Sequence, residues 1–373
     1  MKKKILFNNL SFKIKKNKKK LIDGFSKNLK SNYFVLGPQV QKFEKKFAQY
    51  LGAKYCIGVA NGSDALEIAL KISGIKYGDK VATSANAGMY STNAILSINA
   101  TPVFLDVDIN TKNLTYSEII KCAKKNIKAI IVTHLYGLAI REIKKIASFC
   151  KKKRIILIED CAQAHGAIVN NKKVGTFGNI STFSFYPTKN LGAVGDGGAI
   201  VTNNKNLAEK AYSFRQYGWN DKGKLKYFVK YSGGKNSRLD EIQATILLEL
   251  LPQLDEMNKM RRKVALKYNR LINHQKVIKP IEKIDKDYVN YLYVIRCKKR
   301  DQFKKYLKKF NILTEIHYPL PDYRQINLRK AYKKLYLRNT EKLCKEVLTL
   351  PCYYGMNDKL LKKISIIINK WPA

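Results

Sequence analysis

Between Tyr55 and Thr202 the chain repeats one pattern, in which a short apolar run and a turn are followed by another apolar run, often with an amphipathic stretch between them. YCIGV (55–59), KVATSA (80–85), PVFLDV (102–107), KAIIVTHLYG (128–137), RIILIED (154–160), ISTFSFY (180–186) and GGAIVT (197–202) read as strands. Helical periodicity falls between several of them, at Ser91 to Ile98, Tyr116 to Lys124 and Ile140 to Lys151. Strands this apolar need cover on both faces, and strands joined through helices run parallel. The pattern therefore specifies an α/β fold built on a mostly parallel, doubly covered sheet of seven strands.

The flanks are less regular. Residues 1–33 are polar and lysine-rich, with an apolar period too weak to bound a helix, and read as an N-terminal arm. Val40, Phe43, Phe47 and Leu51 then recur at helical spacing up to Gly52, and Leu239, Ile242, Ile246 and Leu250 share one face of a later helix. Beyond about Met257 the pattern turns to basic amphipathic helices and the strand-like VNYLYVIRC. The expected division is a large domain over 1–255, arm included, and a small α+β domain over 256–373.

Ligands of such sheets bind at the carboxyl ends of the strands. RIILIEDC delivers two carboxylates there, and alternation along the strand puts Glu159 and Asp160 on opposite faces. Asp160 is the better candidate, because Gln163 and His165 follow on its side. The stretch SFYPTKNLGAVGDGG (184–198) presents Lys189 on a tight turn, where Gly192, Gly195, Gly197 and Gly198 are expected to supply positive φ angles and close backbone approach. A lysine amine held in such a place can attack a carbonyl. Gly62, Ser63 and Asp64 stand where a helix begins, so the N–H groups at 63–65 are expected to be free for an anion such as phosphate; an ordinary helix cap is the alternative.

Composition narrows the functional classes. The net charge of +44 invites a nucleic-acid reading, yet only twelve of the 72 basic residues are arginine, and the lysines spread along the whole chain with abundant Asn and Ile. Nucleic acid is therefore not the expected partner. No apolar run reaches the ~18 residues that a spanning helix needs, and no signal peptide is visible, so a cytoplasmic protein without membrane contact is expected. The seven cysteines include no CxxC pair and read as reduced core residues, with no metal site expected.

EDCAQAHGA (159–167), FSFYPTKNLGAVGDGGA (183–199) and GGKNSRLDEIQA (233–244), in this order, resemble the DegT/DnrJ/EryC1/StrS family of sugar aminotransferases, and the likeness runs from FVLGPQVQKFEKKFA (34–48) to IHYPLP (316–321). The resemblance implies the fold-type I architecture, a homodimer with shared active sites, and pyridoxal 5'-phosphate (PLP) as cofactor. It also implies transfer of an amino group from L-glutamate to a nucleotide-linked keto sugar, with dTDP-3-keto-6-deoxyhexose favoured over a 4-keto sugar. Lys189 would form the Schiff base, which speaks against the family's dehydratase branch, where histidine takes that place. Asp160 would hold the ring nitrogen protonated and Gln163 would contact the ring. Gly62, Ser63, Ser184 and the partner subunit's Asn236 would hold the phosphate, although Asn236 also reads as a helix cap. His165, Tyr186, His317 and Tyr318 would face the substrate. Two departures stand out. The family's ring-stacking aromatic falls on Gly88, leaving Tyr90 or Met89 to fill the space, and a histidine near the sugar is replaced by Tyr323.

Overall fold

The computed structural model describes residues 4–219 and 227–372. A long helix α1 (Ser11–Ser31) and α2 (Pro38–Leu51) precede the sheet. The strands and helices of its body are β1 (Tyr55–Val59), α3 (Gly62–Ile72), β2 (Lys80–Ser84), α4 (Tyr90–Ser97), β3 (Thr101–Leu105), α5 (Tyr116–Cys122), β4 (Ile127–Thr133), α6 (Ile143–Lys153) and β5 (Ile156–Asp160). A two-residue hairpin, β6 (Ile168–Val169) with β7 (Lys172–Lys173), leads to β8 (Ile180–Ser184), β9 (Gly198–Thr202) and α7 (Lys205–Phe214).

The sheet has seven strands in the order β1-β9-β8-β5-β4-β2-β3. All neighbours run parallel except β9, which is antiparallel to both β1 and β8. The seven expected strands are all present; β1 matches its run, while most of the others stop one to four residues before the run ends. KAIIVTHLYG leaves the sheet after Thr133, because Tyr136 adopts a left-handed φ of 60° that no strand accommodates. One face of the sheet, carrying Ile57, Val81, Ile131, Ile158 and Ile200, is covered by α3, α4 and α7. The other, carrying Ile130, Val132, Leu157, Phe183 and Val201, packs against α2 and α6 and against α8 (Glu241–Leu250).

α9 (Leu254–Leu271) opens the second part of the chain and runs unbroken across the boundary expected near 255. It is followed by β10 (Tyr293–Arg296), α10 (Arg300–Lys309), α11 (Arg338–Glu346), β11 (Val347–Leu350) and α12 (Asp358–Asn369). β10 and β11 form an antiparallel pair, and a second core gathers Tyr268, Tyr293, Phe303, Leu348 and Ile364.

The arm is where the fold departs most from the sequence pattern. α1 is a full helix whose buried positions are polar or small, Lys13, Asn17, Gly24 and Asn28, while Phe12, Ile22, Phe25 and Leu29 are exposed. An apolar period cannot mark a buried face built this way. Hydrogen bonds mark it instead: Thr245 Oγ1 donates to Asn28 at 2.6 Å and Gln253 Nε2 to Asn17 at 2.7 Å. Gly24 lets α8 approach, since a Cβ there would stand 2.8 Å from Thr245 Cγ2. Among the described residues no helix is long and apolar enough to cross a membrane.

Candidate active site

A cavity of ≈ 460 Å³ opens beyond the carboxyl ends of β4 and β5, between the sheet and the segment 316–318. Of the residues singled out in the sequence, Gly62, Ser63, Tyr90, Asp160, Gln163, Ser184, Tyr186, Lys189, His317 and Tyr318 line it. His165 and Asn236 do not.

Asp160 ends β5 and is buried, yet its carboxylate faces the cavity. Oδ2 accepts from Thr133 Oγ1 at 3.1 Å and Oδ1 from the Ala162 N–H at 3.1 Å. Burial pushes its pKa up, partly offset by the Ala162 N–H and by the Lys189 charge. A buried acid in this state favours a cationic partner in the cavity. Glu159, one residue earlier, turns the other way. Its Oε1 accepts from the N–H groups of Phe177 and Gly178, both at 2.7 Å, and its Oε2 from Gly175 N–H at 2.9 Å and His134 Nε2 at 3.2 Å. The tautomer follows, because His134 Nδ1 accepts from Ile140 N–H at 3.1 Å and the ring proton must sit on Nε2. Burial alone would raise the Glu159 pKa, but these donors hold it below the ordinary value. His134, Glu159 and Cys161 are grouped closely enough to suggest a metal, yet both carboxylate oxygens are already taken.

Lys189 follows β8 on a turn closed by its own N–H to Tyr186 O at 2.9 Å. Its Nζ lies 4.6 Å from the centre of the Tyr291 ring. The glycines of this stretch work differently from expectation. None of Gly192, Gly195, Gly197 and Gly198 has a positive φ; what they provide is close approach. A Cβ on Gly198 would stand 2.4 Å from the backbone of Asn61, and one on Gly192 2.4 Å from Pro187 O.

The start of α3 is also tighter than expected. Asn61 caps it, accepting from the Asp64 N–H at 2.8 Å through its side chain and from the Ala65 N–H at 3.1 Å through its carbonyl. Of the N–H groups at 63–65, only that of Ser63 is left for a ligand, with Gly62 beside it. Ser184 packs directly on Gly62, 2.8 Å from where a Cβ would be, so the two serines and the helix start form one cradle. This donor set fits PLP: a helix N-terminus with hydroxyls for phosphate, a buried carboxylate for a protonated ring nitrogen, and an amine for the aldehyde carbon.

The opposite wall resolves the departure at Gly88. That residue has φ +77° and a Cβ on it would lie 2.7 Å from the Tyr318 ring, so Tyr318 occupies the space that a side chain at 88 would take. Gln163 Nε2 donates to the Tyr318 hydroxyl at 3.3 Å while its Oε1 accepts from Tyr136 N–H at 2.7 Å. Tyr90 meets Tyr318 edge-on at 6.1 Å and is half exposed. Asp322 pins this wall down, accepting from Thr92 Oγ1 at 2.6 Å and Met89 N–H at 3.1 Å. His317 Nδ1 is 2.8 Å from Thr349 Oγ1, and burial pulls its pKa down to about 4. Tyr323 lies away from the cavity, fully buried against Phe104 with its hydroxyl donating to Glu341 at 3.0 Å.

One expected site residue needs correcting. His165 does not face the cavity: its ring is fully buried beside Phe183 and Phe185, at 5.6 and 5.8 Å, because the turn after Gln163 carries it behind the strand. Asn236 is exposed outside its own chain's cavity, where a residue meant for a partner's site belongs; its alternative reading as a helix cap fails, since α8 starts five residues later behind Asp240. Sequence reasoning missed Asn61, Thr133, Asp196 and Tyr291 in the lining. Asn61 carried a signal, being a preferred cap residue just ahead of a helix. Tyr291 had none.

The model of the DegT/DnrJ/EryC1/StrS aminotransferase family matches residues 15–369. The chain belongs to that family. It is 41% identical over 356 residues to the dTDP-3-amino-3,6-dideoxy-alpha-D-galactopyranose transaminase of Aneurinibacillus thermoaerophilus, covering 95% of each chain. The solved structure of DesV from S. venezuelae superposes with a TM-score of 0.92 at 30% identity, over 99% of this chain and 98% of that one. The structure of ntda from Bacillus subtilis with bound cofactor pmp gives 0.87 at 27% identity, over 95% and 82%. The chain is thus an aminotransferase whose relatives act on nucleotide sugars.

Proposed function

We propose that this aminotransferase uses PLP to move an amino group from L-glutamate to a 3-keto-6-deoxyhexose carried on dTDP. The observation that carries the reading is the convergence, in one cavity, of the Lys189 amine, the buried Asp160 carboxylate and the Gly62–Ser63 helix start. The 3-keto assignment is supported by the 41% identity to a transaminase named for a dTDP-3-amino sugar.

PLP supplies an electron sink for the carbon next to the transferred nitrogen. Asp160 would keep the ring nitrogen protonated, with Thr133 and Ala162 fixing the carboxylate in place. Gly62, Ser63 and Ser184 would hold the phosphate. The Lys189 amine would hold the cofactor at its aldehyde carbon and, when released from it, would be the group that takes up and returns a proton. Tyr186 and His317 face the substrate, and Gln163 orients Tyr318 against the cavity.

The same reading makes the enzyme a homodimer. The exposed apolar side chains Ile22, Phe25 and Leu29 on α1 offer it a face, and Asn236, exposed outside its own chain's cavity, is the residue that would reach the partner's phosphate site. That face must outweigh the self-repulsion of +44 charges. Sedimentation should give a dimer at physiological salt; a fully active monomer would remove the role of Asn236.

The deciding assay gives purified protein L-glutamate with dTDP- and UDP-linked 3-keto and 4-keto sugars and follows 2-oxoglutarate. Turnover is expected with the dTDP-3-keto sugar. Preference for a 4-keto sugar would replace this assignment with its alternative.

A further inference from the structure

Lys13 is a buried cation that the reaction above leaves unused. It sits on the inward face of α1, 5% exposed, and its Nζ donates to the carbonyl oxygens of Pro187 at 3.0 Å and Gly192 at 3.2 Å. These two carbonyls close the turn that carries Lys189. They come together because Gly192 has no side chain: a Cβ there would also stand 2.7 Å from Tyr186 O. Asn8, just ahead of α1, donates to Thr188 O at 3.4 Å.

Carbonyl oxygens converging in a buried place repel one another unless a donor lies between them, and an ammonium does this better than a neutral group. The charge is costly to keep there. Burial, and then the charge of Arg261, lowers the Lys13 pKa to about 8. Arg261 does related work on the other side, where its Nη1 donates to Tyr291 O at 3.2 Å and Cys352 O at 2.9 Å; the Tyr291 ring is the one beneath Lys189 Nζ. An arm helix and α9 thus hold, from behind, the two pieces of backbone between which the Lys189 amine is placed.

We infer that Lys13 is a positioning residue for Lys189: its ammonium clamps the base of the 187–192 turn, so that the Lys189 amine is presented to the cavity ready to bind the cofactor's aldehyde carbon. This rests on the reading of Lys189 as the cofactor-binding amine. Lys13 touches neither cofactor nor substrate, so its removal should slow capture of PLP and lower kcat while leaving KM for the sugar nucleotide unchanged.

The test mixes full-length apoprotein with PLP and follows the visible absorbance of the lysine-bound cofactor. Lys13→Met should capture PLP about tenfold more slowly than wild type, as expected when a charged hydrogen-bond donor is withdrawn from a positioning contact. Lys13→Arg, which keeps charge and donors, should recover most of the rate. Lys16→Met, on the same helix but bonded to the Tyr354 hydroxyl at 2.8 Å, should behave as wild type. Wild type and Lys189→Ala are run beside them. Should wild type form no such band, or Lys189→Ala form it equally, the reading of the site has failed. Should the band depend on Lys189 while Lys13→Met captures at the wild-type rate, or should Lys13→Arg recover nothing, the role of Lys13 alone is overturned. If Lys13→Met does not fold by circular dichroism, Lys13→Gln is read in the same way, and a wild-type rate there overturns the inference equally.

Discussion

The end of β5 has two sides that were built from adjacent residues and do opposite work. On the cavity side, Asp160 holds two neutral donors and is left with spare acceptor capacity and a pKa raised by burial. On the far side, Glu159 accepts from four donors and is held ionised with nothing left to offer. The difference teaches how reactivity is distributed in a buried polar layer. A fully satisfied carboxylate ties the 175–178 loop to the sheet and is inert, while the unsatisfied one is available for chemistry.

The sharpest way to test this contrast is on the cavity side. Lys189→Ala should abolish turnover and remove the visible absorbance of the lysine-bound cofactor while the protein stays folded, because the binding amine and the proton carrier are one side chain. Retention of both would move the site elsewhere. Asp160→Asn should leave PLP bound but slow transamination on the order of a thousandfold, since a neutral amide cannot keep the ring nitrogen protonated.

On the far side the pattern should invert. Glu159→Gln puts an NH2 group where N–H donors converge, and should cost roughly 3 kcal/mol of stability, read as a lowered urea midpoint. The folded, PLP-loaded fraction should turn over close to the wild-type rate. If Glu159→Gln is folded and dead while Asp160→Asn is near wild type, the two sides have been assigned the wrong way round.

The smallest effect belongs to His165. Burial, reinforced by the Lys189 charge, lowers its pKa to about 3. The unfolded chain binds a proton there below about pH 6.5 and the folded chain does not, so this site's contribution to stability is intact above 6.5 and declines as pH falls toward 3. By pH 5 the loss is roughly 2 kcal/mol. His165→Leu should flatten that part of the stability profile without changing kcat at neutral pH; an unchanged acid limb would show that the ring is not what titrates.

Much of the site was legible in local sequence. Glu159 and Asp160 could be sent to opposite faces because strand alternation is a property of contiguous residues. For the same reason the seven strands, the Lys189 turn and the start of α3 could be read from the chain alone. His165 could not be placed, because it sits on a turn held by residues distant in the chain, among them Asn258, whose Nδ2 donates to the His165 carbonyl at 2.8 Å.

The sequence by itself therefore determined the sheet, the carboxylate at its edge and the lysine facing it, all of which follow from patterns within a few residues. Only the tertiary structure decided that α1 buries its polar side, that Tyr318 fills the space above Gly88, and that Lys13 reaches carbonyls 174 and 179 residues away. Contacts at that range leave no period in the chain. They exist because packing brings a glycine's empty space and a distant side chain to the same point, and neither residue announces the other.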